Sequence, residues 1–286
     1  MSELKTILVH VDEAGHCPNR LALAAALANA HGAALVGVHV VPPLFIPAYM
    51  PGDASPGLIE VIETQRNAAQ AKAEAYFAGM QRELPSAVWR VVEADAAGPS
   101  SNIIPALASE VRQADLAVVG QAGPGEEDTE TPGLVPEELV MRAGRPVLVV
   151  PYAGHFSSVG ARAIVAWTDT RESARALADA LPLIKRAKSV TVMRIGERGA
   201  DPDAGRVALG GVVNYLDRHG VKAAAEFVPG GKDVTPADLL LSRSADLAAD
   251  LLVMGAYGHS RFRELVLGGA TREILSSMTL PVLLSH

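Results

Sequence analysis

A glycine-rich turn near the end of the chain has residues suited to holding a phosphate. Gly255 and Gly258 follow a short apolar run, and Gly268 and Gly269 precede a stretch with helical periodicity. A glycine turn that leads into a helix exposes backbone N–H groups at the positive end of the helix dipole, and both features attract anions. The predicted contacts of an anionic ligand are Gly255, Gly258, His259, Gly268, Gly269, Ala270 and Thr271.

The same glycines have a second interpretation, because a tight strand-to-helix turn often needs glycine for backbone geometry alone. His259 is expected to be an exposed loop residue and not an acid or base. The chain lacks a P-loop, a nucleophile elbow, an H-E-x-x-H helix and a Rossmann glycine triplet after either first strand. We therefore expect a binding protein and not an enzyme.

No metal or redox site is expected. Cys17 is the single cysteine, which excludes an internal disulfide and a cysteine-rich metal centre, and its thiol is expected to be inert. His10 and His39 fall late in neighbouring predicted strands, but no pair of carboxylates accompanies them.

Composition limits the class of protein. The chain has 286 residues, of which 49% are apolar and 20% charged, enough for two domains with a hydrophobic core each. Its 25 basic and 32 acidic residues leave a net charge of -7, which argues against nucleic acid and anionic membranes as partners. Residues 21–52 lack charge, but Pro42 and Pro43 interrupt them, so no membrane span is predicted. With no signal peptide recognised, we expect a cytoplasmic protein.

The chain repeats itself. Residues 114–120 recur as 249–255, and 146–149 recur as 281–284, both at an offset of 135 (114 to 249). Near the start the offset is larger, because Val11 pairs with Trp167, so the first half carries an insertion that we place at 42–56. The repeat predicts two domains, residues 1–152 (the first half) and 161–286 (the second half).

Each half alternates short apolar runs with longer helical periods, which is typical of βαβ units around a parallel sheet. The predicted strands are 5–11, 34–41, 88–93, 115–120 and 146–150, then 162–167, 189–195, 222–228, 250–255 and 281–285. Right-handed crossovers make each half an open, doubly wound sheet, with its ligand site at the carboxyl ends of the strands. Thr235 is predicted to cap a helix. Ala174, Leu177, Ala178 and Leu181 are predicted as the apolar face of another.

The spacing of Gly255, Gly258 and Gly268 resembles the nucleotide-binding motif of universal stress proteins, and the duplicated layout resembles their tandem form. The resemblance covers essentially the whole chain. It implies two open five-stranded α/β sheets of the adenine nucleotide alpha hydrolase type, packed as an internal pseudo-dimer through their last strands. We expect two sandwiches and not one continuous sheet. The resemblance also implies a role in stress response, with ATP or another adenine nucleotide as ligand and Mg²⁺ accompanying it.

The second half matches the family's site in part. In the family an Asp after the first strand contacts the adenosine, and here Thr168 holds that place, followed by Asp169. Arg194 is predicted to face the base, where an apolar residue is usual, and Gly269 stands where the family has Ser or Thr. Thr168 and Arg194 therefore join the predicted nucleotide contacts.

The first half matches in the opposite way. It keeps Asp12 and the apolar Val40, but residues 123–133 of its loop include four acids, which would repel a triphosphate. Residues 1–153 hold 9 basic and 18 acidic side chains, a net of -9, whereas residues 154–286 hold 16 and 14, a net of +2. We therefore expect phosphate binding only in the second half.

Two functions stay open at this point. In the first, the second half binds an adenine nucleotide, and occupancy alters a surface that an unidentified protein partner reads. In the second, the chain is a tandem scaffold that has lost nucleotide binding and acts through protein contacts alone. A hydrolase of the ATP-pyrophosphatase type would need a phosphate loop after the first strand, which neither half has. Homodimerisation of the whole chain is left open.

Overall fold

The computed structural model describes residues 3–43, 56–95, 103–123, 136–256 and 269–286. The first half contains β1 (Thr6–His10), α1 (Cys17–His31), β2 (Ala34–Val41), α2 (Pro56–Gln81), β3 (Val88–Glu93), α3 (Ile104–Val111), β4 (Leu116–Gly120), α4 (Pro136–Ala143) and β5 (Val147–Val150). The second half contains β6 (Arg162–Ala166), α5 (Arg171–Ile184), β7 (Ser189–Gly196), α6 (Pro202–Ala208), α7 (Gly210–Arg218), β8 (Ala223–Pro229), α8 (Pro236–Asp246), β9 (Leu251–Gly255), α9 (Gly269–Ser277) and β10 (Val282–Ser285). All ten predicted strands are present, with ends within one residue of the prediction.

The strands form one sheet in the order β3-β2-β1-β4-β5-β10-β9-β6-β7-β8. Pairing is parallel within each half, as expected of a doubly wound fold, and antiparallel only between β5 and β10. At that seam Leu148 faces Leu283, its own counterpart in the repeat, so a pseudo-two-fold axis relates the halves. The expectation of two separate sheets is wrong, because the pairing of last strands that joins the pseudo-dimer also makes the sheet continuous.

The hydrophobic core is divided by the faces of the sheet and not by the halves. One layer contains Leu148 and Leu283 together with the buried sides of α1 and α5. The other contains Val149 and Val282 together with α3, α4, α8 and α9. Successive side chains of a strand point to opposite faces, so the seam strands contribute to both layers. The prediction of one core for each half is therefore replaced by two layers that each run through both halves.

The repeated Asp of the 135-residue offset has a structural role. Asp115 accepts hydrogen bonds from the backbone N–H groups of Lys5 and Thr6, at 2.8 and 2.9 Å. Asp250 does the same for residues 160–162, at 2.8 to 3.2 Å. In each half this carboxylate anchors the start of the first strand beside the fourth, which explains why the two segments resemble each other.

The insertion of the first half lies between its second and third strands. The offset between equivalent strands of the two halves is 155 residues at the start of the second strand (Ala34 to Ser189). It is 135 residues at the start of the third strand (Val88 to Ala223), a difference of 20 residues. Helix α2, which has 26 residues, occupies much of this crossover. Among the described residues, no helix is both long and apolar enough to cross a bilayer.

Two helix predictions have different outcomes. Thr235 caps α8 as predicted, in a capping box with Asp238. The predicted apolar face of α5 is right at Leu177, which is buried, and at Leu181, which is partly buried, but wrong at Ala174 and Ala178, which are exposed. The buried stripe contains Ala176, Leu177, Ala180 and Ile184. Alanines on several sides of this helix fit more than one phase, and its larger side chains decide which face is buried.

Candidate functional site

A cavity of about 620 Å³ lies at the carboxyl ends of the first three strands of the second half. Its lining includes two predicted contacts, Thr168 after β6 and Arg194 on β7. The other lining residues are Asp169, Thr170, Ile195, Gly196, Glu197, Ala200 and Phe227. Open α/β sheets bind ligands at this end, and the volume falls within the range of small-molecule sites, about 300–1,000 Å³.

Two threonines, Thr168 and Thr170, line one side of the cavity at the start of α5, and the Ser173 hydroxyl contacts both of them. Thr170 is the N-cap of the helix, and its side chain accepts a hydrogen bond from the Ser173 backbone N–H. The Thr168 and Ser173 hydroxyls lie 2.8 Å apart, and the Thr168 N–H donates to the Ser173 hydroxyl. Thr168 therefore brings no formal charge to the place where the first half has Asp12.

The register of the strands corrects the pairing assumed for Arg194. Val11 N–H donates to Val38 O in the first half, and Trp167 N–H donates to Met193 O in the second. His39 is therefore the counterpart of Arg194, and Val40 is the counterpart of Ile195. The apolar residue that the family resemblance calls for is Ile195, which lines the cavity and which the sequence reasoning missed by one position.

The far end of the cavity is apolar and is formed by residues that the sequence analysis did not single out. Phe227 on β8 pairs in register with Arg194. Its ring is tightly packed, since a Cβ at Gly196 would lie 2.0 Å from the ring, and one at Gly205 would lie 2.2 Å from it. Glycine pairs separated by nine residues carry no sequence signal of such a contact, so it becomes visible only in three dimensions.

The glycine turn is described only at its two ends. Gly258, His259 and Gly268 lie outside the described residues. Gly255 ends β9, and a Cβ there would lie 2.5 Å from the Glu172 carbonyl carbon and 2.6 Å from the Ser173 nitrogen. Close packing against α5 therefore requires glycine at 255 whether or not a ligand binds. Because Ser173 also contacts Thr168 of the cavity lining, this end of the turn lies close to the cavity.

The predicted contacts at the other end of the turn lie on α9, which begins at Gly269 as expected. A Cβ at Gly269 would meet no atom within 4 Å. Ala270 is partly exposed, whereas the Thr271 side chain is buried. Within the part of the chain that the structure describes, Gly269, Ala270 and Thr271 are not among the residues that line the cavity.

In the first half, the end of β4 at Gly120 corresponds to the end of β9 at Gly255. The space above it is filled by a side chain of the protein. Arg20 of α1 is 1% exposed, and its Nη2 lies 2.8 Å from Asp12 Oδ2. A Cβ at Gly120 would lie 2.0 Å from Arg20 Nη1, so the guanidinium group occupies the space above the end of β4. The contact with Asp12 is ionic more than directional, because Arg20 Nη2 and Nε have no partner of hydrogen-bond geometry among the described residues.

Burial shifts the titration of this cluster. Burial raises the pKa of the Asp12 carboxyl, but the charge of Arg20 outweighs it, and the pKa is about 2. Burial lowers the pKa of His10 to about 4 and raises that of the Cys17 thiol to about 11. His39 Nδ1 donates to Val11 O at 2.8 Å. Over the described ranges, no three His, Cys, Asp or Glu side chains come together as a metal site.

Comparison with known sequences identifies relatives of both halves. A model of the Universal stress protein family matches residues 3–151 and 161–286. Over 92 residues the chain is 35% identical to Universal stress protein Slr1230 of Synechocystis sp.. That match covers 32% of this chain and 30% of the relative, so it spans less than a third of the relative's length.

Comparison with solved structures concerns the fold. A universal stress protein from Archaeoglobus fulgidus DSM 4304 superposes with a TM-score of 0.70, over 98% of this chain and 95% of that one, at 15% identity. A functionally unknown protein from Pseudomonas aeruginosa PAO1 superposes with a TM-score of 0.56, over 99% and 92%, also at 15% identity. Both superpositions extend over nearly all of each chain, so the likeness includes both halves.

Proposed function

The chain belongs to the universal stress protein family, and from that premise we propose that its second half binds ATP or another adenine nucleotide as a regulatory signal in a stress response. The proposal includes the division into domains at 1–152 and 161–286. The observation that carries it is the cavity at the ends of β6, β7 and β8, which collects Thr168 and Arg194 in one place.

The lining of the cavity suits the nucleoside part of such a ligand. Phe227 and Ile195 offer apolar surface to a flat base, and base stacking on aromatic rings is favourable. Asp169 and Glu197 are acceptors for the hydroxyl groups of a ribose or the amine of a base. Two carboxylates against the single cation of Arg194 do not suit a row of phosphates.

We place the phosphates at the glycine turn instead. Ser173 is adjacent to both Thr168 and Gly255, so a nucleoside in the cavity has its phosphate end directed toward that turn. In this proposal Gly255, Gly258, His259 and Gly268 surround the phosphates, and Gly269, Ala270 and Thr271 contribute from the start of α9. Mg²⁺ would be carried by the phosphates, because the described cavity residues do not form a metal site.

The alternative function, a scaffold without nucleotide, is favoured by two observations. The need for glycine at 255 is satisfied by packing against α5 alone. The Thr168 hydroxyl already has a partner in Ser173. A scaffold would act through protein contacts, with homodimerisation of the chain as one form of them.

Calorimetry with ATP, AMP and cyclic AMP tests the proposal. We expect the wild-type chain to bind at least one of them, and Gly258→Asp and Gly268→Asp to abolish that binding by placing a carboxylate beside the phosphates. Ala200→Trp, which fills the cavity from its rim, should weaken binding by at least about tenfold. Ala204→Trp on the exposed side of α6 is the matched control. No heat at millimolar nucleotide would favour the scaffold.

A further inference from the structure

Phe227 forms the apolar end of the cavity and is held there by two glycines. Phe227 is 9% exposed and is one of the residues that line the cavity. A Cβ at Gly196 would lie 2.0 Å from its Cζ, and a Cβ at Gly205 would lie 2.2 Å from its Cγ. Real Cβ atoms do not approach carbon so closely, so no larger residue fits at either position while the ring stays in place.

Helix α6 packs on the Phe227 ring through its backbone at Gly205. It has seven residues, from Pro202 to Ala208, and none of their side chains is buried. Glycine lowers helix stability, so a glycine within so short a helix has a cost unless close approach requires it. At Gly205 close approach does require it, because the backbone of α6 lies directly on the Phe227 ring.

We propose that Phe227 is the specificity-determining wall of the cavity, which Gly196 and Gly205 fix so that the site accepts a flat, unsubstituted ring and rejects one extended toward α6. The nature of the ligand rests on the proposed function. The position of the wall rests only on the packing of Phe227. A rigid wall discriminates by size, because an added group has to displace the ring and the helix above it.

The first test compares AMP with an AMP that carries a benzyl group on its exocyclic amine. By calorimetry, the wild-type chain should prefer AMP by at least about tenfold, and Phe227→Ala should remove or reverse that preference. Phe227→Leu, a milder change, should reduce it in the same direction. Val228→Ala, next along β8 and on the opposite face, should keep it. An unchanged preference in folded Phe227→Ala or Phe227→Leu would overturn the proposal.

The second test moves the wall without altering it. Gly205→Ala should weaken AMP binding by at least about tenfold, because the new methyl group pushes the ring into the cavity, although alanine favours the helix itself. Gly210→Ala is the matched control, since a Cβ there meets no atom within 4 Å. The double variant Gly205→Ala/Phe227→Ala should behave as Phe227→Ala does. Equal affinities in Gly205→Ala and Gly210→Ala would contradict the role of the glycine.

A third test is independent of nucleotides and separates this inference from the proposed function. If the wild-type chain binds no nucleotide, the proposed function fails, but the wall is then tested with indole. Indole should bind folded Phe227→Ala and shift the amide resonances of Thr168 and Ile195, because the space left by the ring opens into their cavity. In the wild-type chain, whose cavity takes a flat ring but lacks the space left by Phe227, indole should bind at least about tenfold more weakly. Without those shifts in the variant, Phe227 is a core residue only and the inference is wrong.

Discussion

The two halves share one fold but treat the ends of their strands in opposite ways. The offset that pairs Val11 with Trp167 also pairs Asp12 with Thr168, and it places Ala176 opposite Arg20. In the first half Asp12 and Arg20 form an ion pair in which the guanidinium group is buried and the carboxylate is partly exposed. In the second half the same two positions hold a threonine, hydrogen-bonded to Ser173, and a small apolar side chain that is 1% exposed.

The difference shows that equivalent strand ends of a duplicated fold can hold either a charged pair or neutral side chains. A buried charge is costly unless it is paired, so an Asp and an Arg at these positions depend on each other. Once paired, Asp12 and Arg20 occupy the space above the end of β4. In the second half both charges are replaced together by neutral groups, and a cavity lies beside them.

The carboxyl ends of the strands in the first half also lie far from those in the second half. Because β5 and β10 are antiparallel, the carboxyl ends of the first four strands of each half point to opposite edges of the continuous sheet. The Asp12–Arg20 pair of the first half and the cavity of the second half therefore cannot combine into one composite site. Each half has to be judged by its own residues, and the comparison between them can be tested in either half alone.

The largest effect is expected at the ion pair. Arg20→Ala should lower the free energy of unfolding by about 3–5 kcal/mol, because it leaves Asp12 without its counter-charge. Urea denaturation at neutral pH measures this. The double variant Asp12→Thr/Arg20→Ala copies the second half and should recover more than half of the loss. If Arg20→Ala costs less than about 1 kcal/mol, the pair is as weak as a surface salt bridge, and the contrast between the halves loses its energetic basis.

The seam offers a test of the symmetry itself. Leu148→Ala and Leu283→Ala should each lower the free energy of unfolding by about 3 kcal/mol, because both side chains are fully buried and face each other. The two values should agree within about 0.5 kcal/mol. Leu247→Ala, at a residue that is 36% exposed, should cost much less. Unequal values would mean that one half supports the seam more than the other.

Acid should destabilise the chain through the first half. Burial lowers the pKa of His10 to about 4, so the unfolded chain takes up its proton near pH 6.5, before the folded chain does. The contribution of neutral His10 to the free energy of unfolding is therefore complete above pH 6.5, and about 2–3 kcal/mol of it is lost as the pH drops to 4. Below pH 4 the Asp12 carboxyl, whose pKa is about 2, adds a second loss.

The measurement is the free energy of unfolding as a function of pH. His10→Asn should flatten the profile between pH 6.5 and 4, since the group that titrates is gone. The exposed His155→Asn is the control and should follow the wild-type curve. A wild-type profile that is already flat in this range would show that His10 is not held neutral by its surroundings, which include Asp12, Arg20 and His39.

The fold could be predicted almost completely from the sequence, because its signals are local or repeated. Short apolar runs mark each strand, and the second copy of the repeat confirms the first, as at 114–120 and 249–255. The helices are less certain where alanine is abundant. In α5 the alanines support more than one buried face, and only packing against the sheet selects Ala176 and Ala180 over Ala174 and Ala178.

The site could be predicted only in part, because its residues meet through register and packing. Thr168 and Arg194 were predicted from family positions, and they do line one cavity. Ile195 was missed by one position, since the alignment of β7 with β2 depends on backbone hydrogen bonds. Phe227 and Arg20 carry no local pattern that distinguishes them from ordinary core and surface residues, so only their neighbours in space reveal them.

The smallest effect is expected at the acidic loop of the first half. Replacing Glu126, Glu127 and Asp128 by Ser should leave nucleotide affinity within about a factor of two. These residues lie outside the described part of the structure, but the loop follows β4, whose carboxyl end points away from that of β9. Three strand spacings of about 4.8 Å separate β4 from β9, beyond the screening length of about 8 Å in physiological salt.

Calorimetric titration of the triple variant with the nucleotide that binds the wild-type chain measures this. Asp169→Ser, which changes a carboxylate in the cavity lining itself, is the positive control and should alter the affinity. A tenfold change in the triple variant would mean that charge in the first half reaches the ligand in spite of the distance. The first half would then belong to the binding site, and the assignment of nucleotide binding to the second half alone would fail.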